Sequence, residues 1–313
     1  MRCGVLLPSF GPAATRECVA GVARAADRLG FDSCWAPDHV VLPVAFTSRY
    51  PYSESGEVSA RLDVPFLDSV AALLFVAGCT ERVRLGTSVM PLGLRPPVQN
   101  AKAWATLDWL SGGRAILGVG VGWLMEEFDA VGMPRDHRNA RADEMLALFE
   151  VLFREPQPSF RGRFYRFDPV YFEPKPVNGR IPIWVGGGGP ASLRRAAHFA
   201  EAFLDMPKPV EGMRQTRERL RVACEAIGRD PAALGLGMLG LLVSFDAAVC
   251  RNAPRGAALI GPTPAQMIDA LRRYADAGVS DMLLAVPMAD PTGLAQAVET
   301  LERFAAEVLP HAR

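Results

Sequence analysis

An excess of either charge is missing from this chain of 313 residues: 34 Lys and Arg stand against 34 Asp and Glu. With a pI near 6.9 and no block of like charges, neither a nucleic-acid partner nor a charged tail is expected. Long apolar runs are also absent. Nothing approaches the ~18 consecutive apolar residues of a membrane span, and the apolar run in MRCGVLLPSFGP is cut short by Pro and Gly, unlike a secretory signal. The six cysteines (Cys3, Cys18, Cys34, Cys79, Cys224, Cys250) form no C-x-x-C pair, which removes the usual zinc and redox signatures. Histidine is scarce, with four in the chain (His39, His137, His198, His311) and no pair at metal-ligand spacing; no metal site is expected. A soluble cytoplasmic protein, without a membrane segment, is the class that survives.

What the chain does have is regular alternation. Short apolar runs, RCGVLLP at 2–8, Ser33–Ala36, Val83–Met90, Arg114–Gly120, Ile181–Val185, Ala202–Met206, Leu236–Ser244 and Val279–Val286, predict strands. Between them lie segments of helical period: 13–29 closed by Gly30, Leu67–Cys79, Val98–Leu110, Arg141–Phe153, Ser192–Ala200, Val210–Ile227, a helix opened by the capping box Thr263-Pro-Ala-Gln266, and Leu294–Val308. The strands are continuously apolar, as parallel strands buried on both faces should be. Eight strand–helix units of about 39 residues predict one α/β domain over 1–313, a (β/α)8 TIM barrel.

Two insertions interrupt it. Pro37–Pro65, after the second strand, has neither period and is a candidate substrate wall. Glu155–Gly179, before the fifth strand, is rich in Pro and aromatics and predicts a hairpin over the barrel mouth, a second candidate substrate wall.

Four features fall at strand ends, where a barrel carries its chemistry. Asp38-His39 pairs an acid with a general acid/base candidate; a loop histidine in a structural hydrogen bond is the alternative. Gly86-Thr-Ser-Val89 would let a planar ligand approach the backbone, or is a strand that merely ends. Gly118-Val-Gly-Val-Gly122-Trp123 resembles a dinucleotide fingerprint, but Trp123 replaces its last glycine, and a sharp turn at the rim explains it as well. Trp184-Val-Gly-Gly-Gly-Gly189-Pro190 runs from a strand into a helix and offers consecutive backbone N–H groups to a phosphate.

In combination, LGFDSCWAPDH, ERVRLGTSVMPLGLRPPVQNAKAWATLDWLSGGRAILGVGVGW, RFYRFDPVYFEPKPV and IPIWVGGGGPASLRRAA resemble the bacterial luciferase-like superfamily, in its coenzyme F420-dependent oxidoreductase branch. The resemblance runs from about Val5 to Val308. It implies a luciferase-like barrel, often a homodimer, with Asp38 and His39 beside the deazaflavin ring and His39 as proton donor or acceptor. It puts a non-prolyl cis peptide at Ser88-Val89, the ring border at Val121, Gly122 and Trp123, and the coenzyme's phosphate at Gly186, Gly187, Gly188 and Gly189. A basic rim including Arg49, Arg95 or Lys102 would suit the coenzyme's polyglutamate tail. Sugar-phosphate dehydrogenases of this branch have Glu where this chain has Trp123 and Asn where it has Glu126, so a more hydrophobic substrate is implied. The expected function is hydride transfer between F420 and a small organic substrate. A two-component monooxygenase using reduced FMN, and a non-catalytic flavin-binding protein, are the alternatives on the same fold.

Overall fold

The computed structural model describes residues 1–53, 55–58, 61–251 and 259–312; Glu54, Ser59 and Ala60 of the first insertion lie outside them. Eight strands form the barrel: β1 (Arg2–Leu6), β2 (Ser33–Ala36), β3 (Arg84–Thr87), β4 (Ala115–Gly120), β5 (Ile183–Gly186), β6 (Ala202–Asp205), β7 (Gly235–Val243) and β8 (Asp281–Ala285). Each pairs in parallel with the next, and β8 pairs with β1, so the sheet closes on itself. The helices are α1 (Arg16–Leu29), α2 (Ser69–Ala77), α3 (Pro97–Ser111), α4 (Met125–Ala130), α5 (Arg138–Arg154), α6 (Pro190–Phe199), α7 (Val210–Glu225), α8 (Ala247–Arg251), α9 (Pro264–Asp276) and α10 (Leu294–Glu307). This is the (β/α)8 architecture that the alternation predicts. The six-residue α4 is too short to show a helical period, and the sequence reading misses it.

Local signals place the helix ends. Thr15 accepts the Cys18 N–H at the start of α1, and Gly30 closes that helix at φ 79°, a left-handed conformation open to glycine at little cost. At α9 the Thr263 hydroxyl accepts the Gln266 N–H while the Gln266 side chain accepts the Thr263 N–H.

Apolar side chains fill two layers. One lies between barrel and helices and includes Leu73, Trp104, Phe149 and Phe304. The other fills the barrel, where Trp35 and Trp184 meet at 4.8 Å with Ile116, Leu204 and Leu283. Glycines make this possible: a Cβ on Gly86 would fall 2.4 Å from the Trp35 ring, and one on Gly118 would fall 1.7 Å from the Thr87 carbonyl oxygen.

The second insertion does not roof the mouth. Its hairpin pairs Phe160–Arg161 with Arg166–Phe167, and its tip is fastened to α5, where Glu144 accepts the N–H groups of Arg163, Phe164 and Tyr165. The physical reason is its place in the chain. It follows a helix rather than a strand, and its aromatics pack into the outer layer.

Candidate active site

Asp38 and His39 leave the end of β2 side by side, yet their surroundings separate them. Asp38 is buried, and both its oxygens are bound by Arg95, at 2.7 and 2.9 Å, with the Ser69 hydroxyl donating at 2.6 Å. Arg95 also binds Asp68 at 2.8 Å. Burial opposes the guanidinium's charge, but Asp38 and then Asp68 outweigh it and raise its pKa. Asp38 thus anchors β2 to the segment before α3. Arg95 is matched by two carboxylates and is not a free rim cation.

His39 points elsewhere. Its Nδ1 lies 2.8 Å from Oε2 of Glu127, a carboxylate only 2% exposed. The other oxygen of Glu127 accepts the N–H groups of Val40 and Val41. A carboxylate facing Nδ1 makes that nitrogen the protonated one in the neutral ring and leaves Nε2 as the atom open to proton exchange. Glu127 is invisible to sequence reasoning: it lies 88 residues from His39, on the short α4, and only the glycine-rich rim just before it hints at a site.

The first insertion builds a wall beside this pair. Glu126 accepts hydrogen bonds from Thr47 and Ser48, and these hold its carboxyl down to about 2. The loop so tethered brings Tyr50 to 5.2 Å and Phe46 to 5.9 Å from Trp123, while His39 stands 6.3 Å from the same ring. Burial raises the pKa values of Tyr50 and Tyr52. A cavity of about 210 Å3 opens beside His39, lined by Val40, Val41, Leu42, Leu62, Val64 and Phe66.

Across the mouth, the Ser88-Val89 peptide is cis. Ser88 Oγ is buried with no hydrogen-bond partner, as is Ser9 Oγ at the end of β1. Val89 is wedged between Gly120 and Gly186, where added Cβ atoms would fall 2.8 and 2.9 Å from it. Of the four consecutive glycines, Gly186 is therefore a packing residue. Gly188 and Gly189 border open space, and Gly187 turns the chain at φ 135°. The N–H groups of Gly187, Gly188 and Gly189 make no hydrogen bond within the described residues, and Gly189 caps α6, with Pro190 at its first position. Arg219 reaches the same loop from α7, donating to the Gly188 carbonyl; sequence reasoning misses it too. Val121 and Gly122 continue β4 at the rim, Gly122 at φ 75°. Lys102 and Arg49, expected at a basic rim, are committed to the carbonyls of Glu173 and Ser55.

Comparison with known proteins agrees with this geometry. The profile of the family described as luciferase-like monooxygenase matches residues 1–251. The chain belongs to that family. An F420-dependent glucose-6-phosphate dehydrogenase from Nakamurella multipartita is 33% identical over 198 residues, covering 62% of this chain and 52% of the relative. An FMNH2-dependent dimethylsulfone monooxygenase from Pseudomonas putida is 27% identical over 229 residues, covering 72% and 57%. The crystal structure of monooxygenase RslO1 from Streptomyces bottropensis superposes over the whole of both chains with a TM-score of 0.78 at 23% identity, a likeness of fold. Among relatives of this luciferase-like chain, both F420 and FMN thus serve as cofactors. No helix among the described residues is long and apolar enough to cross a membrane.

Proposed function

We propose that this luciferase-like protein is an F420-dependent oxidoreductase that transfers a hydride between the deazaflavin and an apolar organic substrate, with His39 as the proton donor or acceptor. The observation that carries the reading is the His39–Glu127 pair at the barrel mouth, beside a cavity of about 210 Å3. The residues present fit the coenzyme. Ser88 Oγ is a buried group lacking a partner, and the Gly187–Gly189 amides are free donors at a helix N-terminus beside Arg219, the surroundings a phosphate requires.

Bound at this mouth, F420 supplies the centre that gives or takes the hydride. The rest falls to the chain. Gly187, Gly188 and Gly189 hold the phosphate, and the Ser88-Val89 segment with Val121, Gly122 and Trp123 borders the ring. Glu127 orients His39 through Nδ1, so that Nε2 moves a proton to or from the substrate oxygen. Trp123, Phe46 and Tyr50 exclude water and favour an apolar substrate over a sugar phosphate.

The likeness to an FMNH2-dependent monooxygenase supports a second reading, oxygenation with reduced FMN. Oxygen consumption separates the two. With reduced F420 the protein is expected to reduce ketones or enones without taking up oxygen. Oxygen uptake with reduced FMN and an oxygenated product would replace the first reading by the second. A homodimer is also proposed, because Phe75, Trp109 and Leu110 on the adjacent α2 and α3 are exposed; light scattering on the eluting protein checks it, and a monomer mass refutes it.

A further inference from the structure

A second cavity lies at the opposite end of the barrel. It measures about 560 Å3, and Arg2, Arg84, Arg180, Arg229, Trp184 and Glu201 line it. Arg2 and Arg84 begin β1 and β3, so this is the N-terminal face of the barrel, away from His39. Its volume falls within the range of small-molecule sites, about 300–1,000 Å3.

Three of its four guanidinium groups are committed. Arg2 binds Asp281 through two parallel bonds of 2.6 and 2.7 Å. Arg180 pairs with Glu201 at 3.1 Å. Arg229 donates to the carbonyls of Ala196, Ala197 and Ala200 at the end of α6, and to that of Ala233. The carboxylate of Asp32, nearby, accepts the Cys3 N–H. The Arg84 guanidinium, among the described residues, makes neither a hydrogen bond nor an ion pair. It is half-buried, and burial followed by the charge of Arg2 lowers its pKa, although Asp281, Asp32 and Glu201 act in the opposite sense from a distance. A half-buried cation beside a second cation, with no carboxylate bound to it directly, leaves room for an anion to complete it.

We propose that this cavity is a binding site for a phosphate-bearing small molecule, with Arg84 as its principal ligand and Arg2 and Arg180 flanking the anion. Forked guanidinium groups match the oxygens of phosphate and bind them bidentately. Beside the guanidinium groups, the exposed Ala232 and Ala233 on the wall offer a small apolar surface to an organic remainder. Free phosphate and a phosphate monoester share the chemistry that Arg84 recognises.

The test is calorimetric titration of the full chain with inorganic phosphate and with phenyl phosphate, against sodium chloride at matched ionic strength. The glycine cradle at the mouth is also built for phosphate, so the decisive quantity is the component that depends on Arg84. Arg84→Gln is expected to weaken that component at least tenfold, the scale of one lost charged hydrogen bond. Arg180→Gln, at an exposed rim position where folding is not at stake, is expected to weaken it as well, by a smaller factor. Tighter binding of phenyl phosphate identifies a monoester as the ligand class, and equal binding identifies phosphate itself. Titrations unchanged in both variants, or no phosphate-specific heat at all, would overturn the proposal. Neither result bears on F420 at the mouth.

Discussion

The two ends of the barrel treat their polar groups in opposite ways. At the N-terminal end the arginines finish the structure. Arg114 donates to the carbonyls of Ala77 and Thr80 beyond α2 and to Val83 beside β3, and Arg229 does the same for α6. Helices in this fold run towards that end and leave their last carbonyls unpaired, and a cation there satisfies several at once. At the mouth the bonding is left open: Ser9 and Ser88 hydroxyls and three glycine amides have no partner within the described residues. A barrel separates stability from chemistry by end, and here helix-end carbonyls are satisfied by arginines at one end while glycine amides are left open at the other. Two features cross that division: the Arg84 guanidinium, without a hydrogen bond or ion pair among the described residues at the stable end, and the buried Asp38–Arg95 and His39–Glu127 pairs at the open one.

That contrast is best broken from the mouth. His39→Ala is expected to lower turnover by about 10²–10⁴, the usual worth of a positioned acid or base, while coenzyme affinity holds and the melting temperature falls only by what the unpaired Glu127 oxygen costs. Steady-state rates beside a thermal melt check this. Asp38→Ala, one residue away, should do the reverse of a catalytic change. It leaves the half-buried Arg95 with Asp68 alone and costs about 1.5–3 kcal/mol of folding stability, the scale of lost charged hydrogen bonds, read by denaturant unfolding. At the other end, Arg114→Ala is expected to cost about 2–3 kcal/mol, from the charged hydrogen bonds it removes, with kcat unchanged; a large loss of turnover would blur the division between the ends. The smallest effect concerns Glu126. Its folded pKa of about 2 lies below the usual 4.5, so its tie to Thr47 and Ser48 stabilises fully above pH 4.5 and fades as pH falls towards 2. The gap in melting temperature between wild type and Glu126→Gln should therefore shrink below pH 4.5, and a gap constant with pH would contradict the tie.

Sequence legibility follows the same physics. The strands, the capped helices and the glycine run were readable because each is local: a period, a Thr-Pro-Ala-Gln box, four glycines before a proline. The partners of Asp38 and His39 were not, because Arg95 and Glu127 stand 57 and 88 residues away and only the closed sheet brings them together. The two acids thus traded places: the neighbour of His39 in sequence holds Arg95, and a distant glutamate holds the imidazole. The hairpin at Phe160–Phe167 was legible as a hairpin but not in position, since its anchor is the Glu144 carboxylate on α5. The wedge of Val89 between Gly120 and Gly186 likewise appears only in three dimensions.

The most direct test of the account is a titration of the purified apoprotein with F420 and, separately, with FMN, followed by fluorescence. The account predicts tight binding of F420, weak binding of FMN, and loss of both when Gly188→Asp places a carboxylate in the cradle. Tight FMN binding with F420 excluded would move the protein to the oxygen-using flavin enzymes, and binding of neither would contradict the cofactor site itself.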